Sequence, residues 1–468
     1  MSPVRRLLPF ALAAAAAGCT VGPDYERPSA ELPAAWRESA GWQPARPRDD
    51  APRGRWWEAF GDAKLSELVA QVDVSNQTIA AAEAQVRVSA ALAAQSRAQW
   101  WPTVTGTVQR TESRPSSTTG PVVGQATSKR IVNSLPVSLS WEADLWGRVR
   151  RLVESGDAST QASAGDLANA RLSAQAELAQ NYFQLRAQDA QAKLLADTVA
   201  AFAKTLELTR NRYEAGVVSR ADVAQAESQL QSTRAQALDV RLSRAQLEHA
   251  IAVLLGRPAS VFSLPPAPLE ATPPPVPAPG VPADLLERRP DVAAAERRVA
   301  AANAQIGVAK AAWFPTATLS ATYGYQTANP AVWFTQPSRF WSLGPALALT
   351  LFDGGRRQGV SDQAMAQYDQ AVANYRATVL TAFREVEDNL AALRILEEEA
   401  AVQGEAVRAA QQSLDLSLNQ YKAGIVAYLQ VASAQAALLS AQRAAVDILG
   451  RRVSASVLLV KALGGGWQ

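Results

Sequence analysis

Cys19 is the one thiol in the sequence and His249 the one imidazole. A lone thiol has no partner for an internal disulfide, so its chemistry is reactivity or a covalent attachment. Its surroundings favour attachment. Arg5 and Arg6 form a short positive region, and Leu7 to Ala17 form an apolar stretch too short to span a bilayer. The small residues Ala17 and Gly18 then lead into Cys19. This order fits a signal over 1–18, cut before the cysteine so that the thiol carries a lipid. It departs from the usual lipid-attachment motif at Ala16, where Leu is common. The following residue is Thr20 rather than the Asp that favours inner-membrane retention, so the outer membrane is expected. An ordinary secretory signal followed by a chance cysteine is the alternative. His249 stands alone in a helical stretch and reads as structural. With no metal-ligand cluster and no phosphate loop, the chain is not expected to be an enzyme. No cofactor is expected beyond the lipid on Cys19.

The net charge of +3 is small and the basic residues are scattered, without interleaved aromatics, so no nucleic-acid partner is expected. Beyond the signal no apolar run reaches about eighteen residues, which leaves β-strands as the means of spanning a membrane. Prolines divide the rest. Val137 to Arg257 and Ala346 to the C-terminus lack them and are rich in Ala, Gln, Leu, Glu and Arg. Apolar residues recur every seven positions at Leu178, Leu185, Ala192, Val199 and Leu206, a coiled-coil period. A helix over 147–213 would run about 100 Å, so rods rather than a globule are expected. Each long helix ends at a similar turn, RYEAGVVSRADV or QYKAGIVAYLQV, with Gly216 and Gly424 suited to left-handed caps. Ser219 or Asp222 could start the returning helix.

These turns expose a tandem duplication. Adding 208 to Tyr213, Gly216 and Val223 gives Tyr421, Gly424 and Val431. Adding 213 carries AAAEAQVRVSAALAAQSRAQWWPT onto AAAERRVAAANAQIGVAKAAWFPT. The expected organisation is an extended, equatorial segment over 19–61, a first repeat over 62–256, a proline-rich linker over 257–282 and a second repeat over 283–464. Each repeat reads helix, strand, strand, helical hairpin, with the hairpins over 147–256 and 355–464.

Strands are expected near 103–112, 133–144, 316–327 and 341–352. In each, apolar and small polar residues alternate: Leu135, Val137, Leu139 and Trp141 share one face, Ser138, Ser140, Glu142 and Asp144 the other. The runs are long enough to cross a bilayer when tilted. Trp100, Trp101, Trp313, Phe314, Trp333, Phe334, Phe340 and Trp341 lie near their ends, where an aromatic girdle belongs. Arg148, Arg150, Arg356 and Arg357 follow the inbound strands, either reaching for the membrane interface or solvated as helix starts. Four strands cannot close a barrel, and open edges are not tolerated in lipid. Copies must therefore assemble. Two would leave little lumen and three could hold a pore; physics alone does not choose.

CTVGPDYERP after the signal, LLERRPDVAAAERRVAAANAQIGVAKAAWFP, FDGGRR at 352–357 and the terminal KALGGGW together resemble the outer-membrane factors. These are the TolC-like exit ducts of tripartite efflux pumps, here in the lipoprotein subgroup of resistance-nodulation-division systems. The resemblance runs from 19 to 468. It implies an α+β membrane protein: a homotrimer forming a twelve-stranded β-barrel, four strands per chain, continued by a long α-helical coiled-coil periplasmic tunnel. It implies passive efflux of drugs and other small amphiphiles, with a periplasmic adaptor (membrane fusion) protein, an inner-membrane resistance-nodulation-division pump and outer-membrane lipid as partners. It also implies a periplasmic gate of ringed apolar and acidic residues. The apolar ring falls on Leu429. The acidic positions fall on Gln430 and Ser433, a departure that leaves cation selectivity open, and Asp222 of the first turn is the available acid. Leu429 as a coiled-coil seam residue and Asp222 as a helix cap are the competing readings. The turns, Gly216-Val217-Val218 and Gly424-Ile425-Val426, are the expected adaptor contacts, with a shared helix cap as the competing reason for their repetition. Two other functions remain: a type I protein-secretion duct and a non-conducting, periplasm-spanning structural lipoprotein.

Overall fold

The computed structural model describes residues 20–29, 36–37, 55–114, 116, 128–269 and 288–465. The signal, Cys19, residues 270–282 of the linker and the terminal Gly466-Trp467 lie outside the described residues. The helices are α1 (Ala63–Ser75), α2 (Gln77–Ala98), α3 (Arg148–Glu214), α4 (Arg220–Leu254), α5 (Pro290–Ala311), α6 (Arg356–Lys422) and α7 (Tyr428–Ala462). The strands are β1 (Thr103–Gly106), β2 (Gln109–Ser113), β3 (Arg130–Ala143), β4 (Thr316–Thr327) and β5 (Arg339–Ala348).

The duplication is visible in these bounds. Both α3 and α6 have 67 residues, and both α4 and α7 have 35. Adding 208 to the bounds of the first pair gives those of the second, and adding 213 to those of α2 gives those of α5. The long helices stop for the same local reason. After α3, Val217 N–H donates to Arg212 O at 2.9 Å and Gly216 N–H to Tyr213 O at 2.8 Å. After α6, Ile425 N–H donates to Gln420 O at 2.9 Å and Gly424 N–H to Tyr421 O at 3.0 Å. This paired closure needs a left-handed residue, and Gly216 (φ 75°) and Gly424 (φ 78°) supply it without a Cβ penalty.

The chain divides into two units. Of the described residues, the first holds those within 20–29, 86–163 and 295–375 and contains the sheet. Its strands are antiparallel in the order β1-β3-β4-β5, and β2 also pairs with β3, so β1 and β2 occupy one strand position. The single strand expected over 103–112 is interrupted at Thr107–Val108, which lie opposite Pro136 and Leu135 in an otherwise continuous register. Pro136 has no N–H to give to the ladder. The strand expected over 341–352 is shifted to Arg339–Ala348. Ala348 faces Thr316, the first residue of β4, and beyond it comes Pro315, so the partner runs out. The N-terminal residues 20–29 strap this unit. Val21 N–H donates to Trp146 O at 3.1 Å, Asn303 Nδ2 to Pro23 O at 3.1 Å, and Arg151 pairs with Asp24 at 2.9 Å. Gly22 packs on Gly307, where a Cβ would come within 2.6 Å of the Gly307 Cα.

The second unit holds the described residues within 36–85, 164–294 and 376–465. One core gathers Trp56, Trp57, Leu65, Val69, Leu178, Leu185, Ile251 and Val457. Leu178 and Leu185 of the seven-residue series are fully buried there. Another gathers Phe202, Leu206, Leu230, Tyr421, Tyr428 and Val431 around the two turns. The linker is irregular as far as it is described, apart from a 3₁₀ turn at Ala259–Val261. Buried ion pairs hold it: Asp189 lies between Arg186 (3.2 Å) and Arg244 (2.6 Å), and Arg244 also reaches Leu264 O at 2.6 Å. His249 lies on α4, as expected of a helical stretch, and is exposed.

Candidate functional site

Two surfaces carry the functional reading: the sheet and the pair of turns. In the sheet, register decides which side chains share a face. Val104, Leu139, Ala321 and Leu343 form one row across four strand positions, and Gly106, Val137, Tyr323 and Trp341 form the next. The row between them is Thr105, Ser138, Thr322, Ser342, and the row on the other side of the first is Thr103, Ser140, Ser320, Gly344. Among the described residues nothing covers the β5 end of these apolar rows: Trp341 is 73% exposed and Leu343 65%. Such a face belongs against hydrocarbon, with small polar residues lining the other side. Aromatic pairs stand at both ends of the strands. Trp146 stacks on Phe314 at 4.9 Å on the helix side, and Trp333 stacks on Phe334 at 5.6 Å near the β4–β5 turn.

The arginines that follow the strands are mostly held by carboxylates rather than reaching outward. Arg148 grips Glu142 with two bonds, 2.7 and 2.8 Å, on the polar face of β3. Arg150 pairs with Asp144 at 3.3 Å, and Arg357 with Asp353 at 2.7 Å. Asp144 also accepts from the backbone N–H groups of Val149 and Arg150 in the first turn of α3, and Asp353 from those of Gly355, just before α6, and Arg357 within it, as start residues of a helix do.

At the turns, Val217 and Ile425 are 60% and 72% exposed. Val218 and Val426 instead lean back onto the core beneath. Each turn therefore offers one apolar side chain to the surface and uses the next for packing. Leu429 is 63% exposed in the first turn of α7, beside the exposed Gln430 and Ser433. Ser433 Oγ donates to Leu429 O at 2.9 Å, so its hydroxyl is occupied by its own helix. Asp222 is brought to a different place, the first turn of α4. Its Oδ2 accepts from Ser219 N–H at 3.0 Å and from Ser219 Oγ at 2.8 Å, and Ser219 Oγ accepts from Asp222 N–H. Ser219 is thus the N-cap and Asp222 the reciprocal acid of a capping box. Its carboxylate serves the helix start, which favours the cap reading over a free acid in a ring.

Beneath the turns lies a polar network that the sequence reading missed. Arg212 sits 4.6 Å over the Tyr421 ring and donates to Tyr421 O and to Lys422 O. Thr209 accepts from Tyr421 Oη at 3.3 Å, and Gln435 Nε2 donates to Thr205 Oγ1 at 3.3 Å. Tyr428 stands edge-on to Tyr421 at 5.8 Å, and burial, then Tyr421, pushes its hydroxyl up to about 12. The available signal was Arg212 in the last turn of α3, where a cation suits helix carbonyls. That those carbonyls belong to α6 was not readable.

Among the described residues no group of three His, Cys, Asp or Glu could hold a metal ion, and no helix is long and apolar enough to cross a membrane. The sequence profile described as "Outer membrane efflux protein" matches residues 68–257 and 281–465. The chain belongs to this family. It is an outer-membrane efflux protein, a channel rather than an enzyme. It is 32% identical to the toluene efflux pump outer membrane protein TtgC of Pseudomonas putida over 96% of this chain and 93% of that one. It is 33% identical to the pyoverdine export outer membrane protein OpmQ of Pseudomonas aeruginosa, over 93% and 91%. Among solved structures, the outer-membrane channel OprN superposes with a TM-score of 0.88 at 30% identity, covering 96% of this chain and all of that one. The two faces of the sheet are thus those of an outer-membrane channel's β-strands.

Proposed function

We propose that three copies of this efflux protein close one barrel and form the passive exit duct of a tripartite pump. The observation that carries this reading is the register: apolar rows run unbroken across the sheet while its two edges, β1/β2 and β5, have no partner among the described residues. Three copies of four strand positions make twelve. Two copies would make eight, a barrel that side chains fill. Exposed apolar residues along the long helices, such as Leu238, Leu242, Val402 and Leu416, supply further surface for neighbouring copies.

In this reading Val217 and Ile425 meet a periplasmic adaptor, and an inner-membrane resistance-nodulation-division pump supplies the energy. Leu429 narrows the closed end of the tunnel. A lipid on Cys19 adds an anchor beside Thr20, whose neighbour Val21 is tied to Trp146 at the helix-side end of the strands. The cargo is drugs and other small amphiphiles; the names of two relatives, for toluene efflux and pyoverdine export, bracket it with an apolar solvent and a polar molecule. Two measurements test the proposal together. Detergent-purified protein should have the mass of three chains, and a deletion strain should accumulate a fluorescent efflux dye that the intact gene clears. A monomeric mass or unchanged dye content would remove it.

A further inference from the structure

A cavity of about 400 Å³ lies in the first unit where strands give way to helices. Its walls come from three junctions: β3 to α3, α5 to β4, and β5 to α6. Trp146 and Phe314 form a stacked aromatic side, fixed by a 2.7 Å bond from Trp146 Nε1 to Pro315 O. Three acids and three arginines also line it. The acids are all engaged: Glu142 by Arg148, Asp353 by Arg357, and Asp144 by Arg150 nearby. The remaining guanidinium, Arg356, is exposed, and among the described residues its side chain has no hydrogen-bond or ion-pair partner. The last apolar row of the sheet, Ala143, Ala317 and Leu347, ends at the same place, with Leu347 68% exposed.

We propose that this cavity seats the phosphodiester of one glycerophospholipid from the periplasmic leaflet, with Arg356 as its charge partner. The inference deepens the channel reading and rests on it for the position of the bilayer. The helix-side ends of the strands face the periplasm, so the cavity lies at headgroup depth while the apolar row above it faces acyl chains. Volume suits a headgroup with its glycerol. A planar guanidinium matches a phosphate with two parallel bonds, and indole rings prefer this interfacial depth. The neutralised Arg–carboxylate pairs keep the rest of the rim polar without competing for the anion. The site is asymmetric between the repeats: Arg148, at the position equivalent to Arg356, is spent on Glu142.

Native mass spectrometry of the full-length, detergent-purified protein tests this, with dioleoylphosphatidylglycerol as the probe and dioleoylglycerol, which lacks the phosphate, as control. The intact protein should retain one phosphatidylglycerol per chain after detergent is stripped. R356Q should lower that retention about tenfold, the loss of one charge-assisted contact, and R356K should restore part of it. Dioleoylglycerol should not be retained. Equal retention by R356Q, or retention of dioleoylglycerol at the same level, would overturn the site. Dissociation of the assembly by R356Q would also overturn it, by giving Arg356 to a contact between copies. The oligomeric mass in the wild-type spectrum reports separately on the three-chain channel: a single-chain mass would sink that reading and this one with it, whereas a three-chain mass with equal lipid retention by R356Q would sink this one alone.

Discussion

The guanidinium of Arg212, at the end of α3, lies over the ring of Tyr421, at the end of α6, and bonds to that residue's own carbonyl. One side chain thereby joins the two hairpin ends of a chain across 209 positions. The same cation stabilises the negative end of α6, whose last carbonyls lack helical partners. Arg212→Ala should loosen the two ends by about 1–2 kcal/mol. The chain should still fold and assemble, while amide exchange rises over 202–230 and 414–432 and single-channel conductance in planar bilayers increases. Unchanged exchange and conductance would reduce Arg212 to a surface ornament.

The capping box separates two roles for Asp222. As the reciprocal partner of Ser219, its loss costs about 1 kcal/mol at the start of α4. Ser219→Ala and Asp222→Asn should therefore destabilise this end alike and leave ion selectivity alone. A cation preference that vanishes in Asp222→Asn but survives in Ser219→Ala would return Asp222 to the gate.

Neighbouring valines in one turn have opposite fates. Val217 points to the surface, whereas Val218 packs on the core of Phe202, Leu206 and Tyr428. Val217→Asp together with Ile425→Asp should abolish crosslinking to the adaptor and leave thermal stability intact. Val218→Asp should instead lower stability by about 1–2 kcal/mol through lost burial. Crosslinking that survives the first pair would move the adaptor contact elsewhere.

Leu429 has 63% of its surface free in the first turn of α7, although its position beside a seam made a buried role plausible from sequence. Its neighbours Tyr428 and Val431 are the buried ones. Leu429→Ala should raise conductance without changing the melting temperature, because little packing is removed. A fall in melting temperature at constant conductance would identify it as packing.

The legible part of this fold is the local part. Prolines bound the helices, Gly216 and Gly424 marked their ends, and the alternation of Leu135 to Trp141 fixed a sheet face before any register was known. Ser219 and Asp222, three residues apart, carried the spacing of a capping box. What escaped depends on partners remote in sequence. The break opposite Pro136 and the early end of β5 follow from what the adjacent strand can offer. For Arg148 and Arg357 the sequence left interface cation and solvated helix start both open, and neither reading anticipates the ion pairs with Glu142 and Asp353. The polar network under the turns lies in the same class. Tyr213 and Tyr421 match at the repeat offset, yet the first is 43% exposed and the second 1%. Duplicated sequence therefore did not mean duplicated environment.

That asymmetry makes the turn region sensitive to alkali. The Tyr428 hydroxyl is buried against Tyr421 and is pushed up to about 12, while an unfolded tyrosine ionises near about 10. The folded chain thus holds this proton longer than the unfolded one. The sign follows: the contribution is complete below about pH 10 and is lost as pH rises toward about 12, where both states are ionised. Tyr182, buried and bonded to Asp62, is also pushed up to about 12 and adds the same dependence in the other core. Denaturant midpoints should therefore fall between pH 10 and 12 in step with tyrosinate absorbance. Tyr428→Phe should flatten that fall for amides around Leu206 and Leu230 while leaving it in place around Leu178 and Leu185. An equal fall at both places in the variant would mean that Tyr428 is ionised in the folded chain as readily as in water.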